Sequence, residues 1–372
     1  MVRPVRRRHA SVVGATFLAV LILVAAVARG SAPAHGAASG VRLVRFHLPD
    51  PSGTFIPGVY GDTIAWGIGR VDRRGALTAL MVYTGSLRTS HYRVAAVIVP
   101  HPILYLNDVR ISARWLSWVE YGARGEWRVM ALDRRGGRPV VVDSSDQEGG
   151  TAVQALLLPL TALDGDTLAW SLSVIPPRGR RLPWSGIKVR VLPHGTTHLV
   201  ARAAYQDCSL TVPSVSGRLV AWEEDGVCAK GGNDVLVADW TTGRIRARTT
   251  DHRSSEPATN GRVVAYKGAS LRLQDGTIVV QDLRTGRKRV VDDSGAASTV
   301  TVTDRLVAWL GFNDDIEAFD LRTNQHYDVF PNANPLLGQG WNDEVIFEQT
   351  LLNLPPTSDG HFKADLIVAH VP

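Results

Sequence analysis

The chain has 372 residues, 41 Lys and Arg against 35 Asp and Glu, a formal net charge of +6 and only two cysteines. Five of the arginines and no acid lie in residues 1–34, so the rest of the chain carries a net charge of only +1. That balance removes the usual basic footprint of a nucleic-acid binder, and no nucleic-acid partner is expected.

Residues 1–34 differ in kind from the remainder of the chain. Arg3, Arg6, Arg7 and Arg8 precede an uncharged, mostly apolar run from Ser11 to Ala28, and Ala32-Pro33-Ala34 comes after it. A basic start, an apolar stretch and an Ala-x-Ala site are the parts of a secretory signal. The expectation is export with cleavage after Ala34. The alternative is a retained membrane anchor, because the apolar run is just long enough to cross a bilayer as a helix. Residues 35–40 then read as a linker, and 41–372 as one folded unit.

Length alone would divide the remaining residues, about 330 of them, into two domains. An internal repeat overrides that expectation. Gly217-Arg218-Leu219-Val220-Ala221-Trp222 has relatives ending at Trp66, Trp118, Trp170, Tyr266, Trp309 and, in decayed form, Phe347. The closing aromatics are 52, 52, 52, 44, 43 and 38 residues apart, near the period of four-stranded propeller blades. Seven copies imply seven blades; six is the alternative if the last copy is not a blade.

The fourth copy shows the unit most clearly. Leu210–Ser216, Arg218–Glu224, Asp234–Asp239 and Arg244–Thr250 read as four strands joined by short turns, with Gly217 at a turn position. Leu219-Val220-Ala221-Trp222 has no polar alternation, so both of its faces must be covered, which requires stacking between neighbouring blades. The small Ala before the aromatic leaves room for the aromatic of the adjacent blade. The turn between third and fourth strands repeats too. It reads Asp239-Trp240-Thr241-Thr242-Gly243, Asp282-Leu283-Arg284-Thr285-Gly286 and Asp320-Leu321-Arg322-Thr323-Asn324, and local side-chain bonding explains its Asp and Thr.

On these motifs the chain resembles the TolB-like β-propellers, a periplasmic and secreted bacterial group similar in architecture to WD-repeat proteins. The Asp-x-x-x-Gly turn is well kept, while the Ser-Pro-Asp-Gly turn of the group is reduced to Val215-Ser216-Gly217, Leu163-Asp164-Gly165 or Val59-Tyr60-Gly61. The resemblance spans residues 41–372 and implies an all-β propeller. It is weak for function, since the group holds partner-binding proteins, peptidase-associated domains and some lyases.

The last unit has a second strand at Glu344–Gln349 and a third at Ala364–His370, then lacks a fourth, while Val41–Leu48 is a strand without a blade. The N-terminal strand is therefore expected to complete the last blade, which removes the open sheet edge. In unit four, hairpin register sets Cys208 opposite residue 227, so Cys208 and Cys228 are expected to form a disulfide. Two free buried thiols are the alternative.

For catalysis the sequence offers no Gly-x-Ser-x-Gly, His-Glu-x-x-His, Walker loop or Cys-x-x-Cys. His194 and His198 read as a surface hairpin, Asn313-Asp314-Asp315 as a solvated turn, and no metal or cofactor is implied. The loops joining second and third strands share a face with the blade-to-blade connections. They offer Arg70, Arg73 and Arg74 in unit one, Arg124 in unit two, and Arg178, Arg180, Arg181 and Trp184 in unit three. Glu223, Glu224, Asp225, Asp314 and Asp315 would form an acidic half of the same face. The reading is a monomeric, exported, non-catalytic propeller that binds a partner protein or an anionic cell-envelope glycan through this loop face. The alternative is a polysaccharide lyase or hydrolase with its site in the central funnel.

Overall fold

The computed structural model describes residues 40–372 apart from 49–53, 72–76, 100–102, 123, 153–158, 178–181, 206–207, 269–275, 294–297, 312–314, 332–334 and 351–363. The leader and all but the last residue of the linker lie outside the described residues. The described chain forms seven antiparallel sheets of four strands, each a blade of a β-propeller. In blade 4 the strands are Cys208–Ser216, Leu219–Gly226, Gly232–Asp239 and Arg244–Arg248, paired in that order. Gly217 turns the first hairpin at φ 53°, in the left-handed region that favours a residue without a side chain.

The ring closes with the borrowed strand. Arg42–His47 pairs antiparallel with Ala364–His370, in register from Arg42 with His370 to His47 with Asp365. Glu344–Thr350 and Pro335–Leu337 complete that sheet. The decayed copy ending at Phe347 is thus a full blade, and the six-bladed alternative gives way to seven.

The repeated aromatics form the core. Trp66, Trp118, Trp170, Trp309 and Phe347 are fully buried, and Trp222 and Tyr266 are each 2% exposed. In the five blades where Ala precedes the aromatic, it shares a buried cluster with the aromatic of the next blade: Ala65 with Trp118, Ala169 with Trp222, Ala221 with Tyr266, Ala265 with Trp309, and Ala308 with Phe347. A larger residue there would collide with a neighbouring ring. Stacking of this kind buries both faces of the second strand, as its unbroken apolar run requires.

Cys208 and Cys228 are joined by a disulfide, with Cα atoms 5.4 Å apart. The register places Cys208 beside Gly226, and a short 3₁₀ turn over Val227–Ala229 carries Cys228 back towards it. The bridge ties the inner strand of blade 4 to the loop after its second strand.

Candidate functional site

Inner strands of a propeller have one ladder edge facing the central channel, where backbone N–H groups lack a strand partner. Here side chains of neighbouring blades supply acceptors. Thr161 N donates to Asp108 Oδ2, Leu210 N to Ser185 Oγ at 2.9 Å, Thr259 N to Ser214 Oγ at 2.9 Å, Glu256 N to Glu223 Oε2 at 2.9 Å, and Thr299 N to Glu256 Oε2. The inner strands bulge to allow this, with Asp108, Val212, Glu256 and Thr299 at φ of 47–58°. Burial pushes the carboxyls of Glu223 and Glu256 upward; the Glu256 N–H and the Asn233 amide pull Glu223 partly back.

Gln339 spans one end of the channel. Its backbone bonds Pro57 and Val59 of blade 1, while its side-chain amide receives Ile111 N at 3.1 Å and donates to Ile111 O and Leu163 O at 3.2 Å. A space of about 340 Å³ remains, lined by Arg110, Thr161, Ser214, Glu256, Thr299 and Gln339 among others. Among the described residues its polar groups bond from one blade to the next.

The residues anticipated on the loop face fare unequally. Arg124 is exposed at the turn before the third strand of blade 2, its own N–H bonded to Glu126 at 2.9 Å. Trp184 is not an exposed loop aromatic: it opens the strand Trp184–Val191, is 8% exposed, and carries the Arg202 guanidinium 4.5 Å above its ring. There it forms one wall of a cleft of about 410 Å³ with Glu148, Lys188, Leu199 and Arg202. Arg73, Arg74, Arg178, Arg180, Arg181 and Asp314 lie outside the described residues. The expected acidic half is partly internal, because Glu223 and Glu224 are taken up by partners within the ring. Glu223 is thereby a buried latch, and Glu224 pairs with Arg248 at 3.0 Å.

His194 is exposed and His198 packs against Trp240, ring centroids 5.3 Å apart. A group that sequence reasoning missed, Glu317, His326 and Asp328, has metal-like proximity. Glu317 Oε2 sits 2.9 Å from His326 Nε2 and Asp328 Oδ1 3.9 Å from Nδ1. The Glu317 hydrogen bond, opposed by burial, raises the His326 pKa, which favours an ion pair with Glu317.

A second charged feature among the described residues lies on the opposite face, where the first–second and third–fourth turns emerge. The turn aspartates act locally. Asp239 Oδ1 accepts from Thr241 N and Oγ1 at 3.1 and 2.6 Å, and Asp282 Oδ1 from Arg284 N, Thr285 N and Thr285 Oγ1 at 3.0, 2.7 and 2.8 Å. The Thr241 hydroxyl first, against burial, holds Asp239 at a pKa of about 2; the Thr285 N–H and hydroxyl hold Asp282 low. Around these caps lies a groove of about 1190 Å³ running from blade 4 across blade 5 to Leu321 of blade 6. Seven cations line it, Arg218, Arg246, Arg262, Arg284, Arg287, Lys288 and Arg289, against the two carboxylates Asp239 and Asp282. The signal is present in the sequence as Gly-Arg at two first turns and Arg-Thr-Gly-Arg-Lys-Arg at one third turn. Turn chemistry alone accounts for the motifs, so the arginines between them do not stand out in the sequence.

Fold and surface together define a seven-bladed β-propeller with a narrow central channel and a cationic groove on its turn face. No known protein-family profile matches the sequence, and no curated protein sequence matches it. Solved structures share the fold. An oligogalacturonate lyase in complex with manganese has a TM-score of 0.57 at 14% identity, covering 89% of this chain and 91% of that one. A prolyl endopeptidase has a TM-score of 0.55 at 12% identity, covering 84% of this chain; this chain spans only 50% of its length. TolB from Acinetobacter baumannii, also a β-propeller, has a TM-score of 0.43 at 14% identity, covering 82% and 80%. At such identities the likeness is one of fold.

Proposed function

We propose that this chain is an exported, non-catalytic propeller that binds an anionic partner, a protein or a cell-envelope glycan, through charged surface grooves. One observation carries the reading: seven cations line a single groove with only two carboxylates, and although Arg218 and Arg246 share Asp239, five cations remain against Asp282, which is engaged by its own turn. Guanidinium groups pair two oxygens of a carboxylate or phosphate at once, and six of the seven cations are arginines. Export is supported by the leader-like residues 1–34 and by the disulfide, which persists in oxidising compartments. The closed ring, whose last blade borrows its outer strand, supports a monomer.

The arginine-bearing loops expected from the sequence in blades 1–3 are the second candidate, although Arg73, Arg74, Arg178, Arg180 and Arg181 lie outside the described residues. Two triple variants of the mature protein separate them: Arg262, Arg284 and Arg287 to Ala for the groove, and Arg178, Arg180 and Arg181 to Ala for the loop. Binding to envelope extracts is measured over a salt series. The groove variant is expected to bind more weakly and with a flatter salt dependence. Loss only in the loop variant would move the site to the loop face. Unchanged binding in both would refute an anionic partner held at either surface.

A further inference from the structure

One turn module recurs in four blades. An arginine stands just before the residue that opens the second strand, and an aspartate closes the third strand opposite. The register pairs Trp115 with Asp133, Leu219 with Asp239, Val263 with Asp282 and Leu306 with Asp320. In three of the four blades the arginine is consumed by its own blade's aspartate: Arg114 with Asp133 at 2.8 Å, Arg218 with Asp239 at 3.4 Å, and Arg305 with Asp320 at 2.6 Å. In blade 5 it is not. Among the described residues Arg262 makes no side-chain ion pair or hydrogen bond, although Asp282 stands in the same register position.

Arg262 lines the groove instead with Arg289, a second guanidinium. Arg289 is fixed in place: its guanidinium carbon lies 4.6 Å from the centre of the Phe319 ring and its Nη1 donates to Asn324 Oδ1 of blade 6. Burial, and then the charge of Arg262, push the Arg289 pKa down. Both guanidiniums are exposed and line one groove with Asp282, whose carboxylate is taken up by its own turn, so their repulsion is modest and a bridging anion relieves it.

We propose that Arg262 and Arg289 form an oxyanion clamp, a site within the groove for a carboxylate or phosphate carried on an extended anionic chain. The assignment rests on the reading of the groove as the anionic surface. Arg289 supplies a pre-set fork and Arg262 an uncommitted one, so the first costs little ordering on binding. Flanking Arg284, Arg287 and Lys288 are exposed and follow one another along the turn, which suits a repeating charge. The groove lining includes no exposed aromatic to anchor a folded protein surface.

The test uses the mature protein and five single variants: Arg262→Gln and Arg289→Gln in the clamp, Arg284→Ala and Arg287→Ala elsewhere in the groove and, as a control outside the groove lining, Arg244→Gln. Inorganic phosphate is compared with chloride at equal ionic strength for its effect on melting temperature, and affinities are measured for a linear uronate hexamer and for linear polyphosphate. Phosphate is expected to raise the melting temperature of the wild type and of Arg244→Gln but not of the two clamp variants. Affinity for the bound chain should fall about ten- to hundredfold in each clamp variant, as for loss of a charge-assisted bond. Binding of the uronate alone or the polyphosphate alone supports the clamp and identifies which oxyanion it takes. If Arg262→Gln and Arg289→Gln behave as wild type while Arg284→Ala and Arg287→Ala weaken binding, the clamp is overturned and the groove stands. A wild type that neither responds to phosphate nor binds either chain overturns the clamp, and with it the groove if envelope binding is also absent.

Discussion

Phe46 is the residue through which the borrowed strand holds the ring shut, so Phe46→Ala tests closure without shortening the chain. The side chain is 3% exposed, its ring centroid 5.2 Å from that of Trp66, within a buried cluster that draws on blades 7 and 1. It also lies where a Cβ on Gly85 would meet its Cζ at 2.9 Å, so Gly85 leaves just enough room and the site cannot collapse freely. Truncation of a buried Phe in such a site costs about 3–5 kcal/mol through lost burial and the cavity left behind. For a unit of about 330 residues that is a fall in melting temperature of roughly 4–7 °C. Urea unfolding followed by tryptophan fluorescence measures the free energy, and differential scanning calorimetry the temperature. Deleting residues 41–48 removes all six register pairs with Ala364–His370 and bares a sheet edge carrying the buried Leu366 and Val368. That variant should aggregate or be cut rapidly by proteases. A monomeric deletion variant with the wild-type melting temperature would refute the argument, as would a Phe46→Ala cost below about 1 kcal/mol.

The disulfide closes a loop of sequence separation 20, worth about 3 kcal/mol by the chain-entropy account. The mature protein should therefore show no thiol reactive with Ellman's reagent until reduced, and reduction should lower its melting temperature by about 4 °C. Glu348 is buried with one carboxylate oxygen lacking a hydrogen-bond partner among the described residues, and burial raises its pKa to about 7. An acid with a raised folded pKa binds its proton more tightly in the folded state. Its share of stability is therefore full below about pH 4.5 and is lost as pH rises towards 7. Glu348→Gln should accordingly be more stable than wild type at pH 8 and show a flatter melting-temperature profile between pH 4.5 and 7. An unchanged slope would show that the carboxyl is hydrated.

Architecture was legible in the chain because it rests on local pattern. The apolar second strands, the aromatic that closes each, and the Asp-x-x-x-Gly turns act within a few residues of one another, so their repetition alone gives blades and their number. The strand at residues 41–48 and the missing fourth strand of the last blade gave the closure, since an unpaired edge must be covered. Hairpin arithmetic brought Cys208 within one residue of its observed neighbour, the difference being a bulge between Thr211 and Ser214.

Placement of charge was not legible. Glu223 reads as an acid of the loop face but is an inter-blade latch, because it takes up the Glu256 N–H of the next blade, a partner that only the packed ring supplies. Trp184 reads as a loop aromatic but begins a strand and is covered by Arg202. The groove depends on Arg218, Arg262 and Arg289, which lie on different turns and strands and meet only because blades 4, 5 and 6 are neighbours in the ring. Turn sequence determines that an arginine stands at position 262; only the packed ring decides that it is left without its aspartate and faces a second guanidinium, since ion pairing is a matter of side-chain direction and distance that no local pattern encodes.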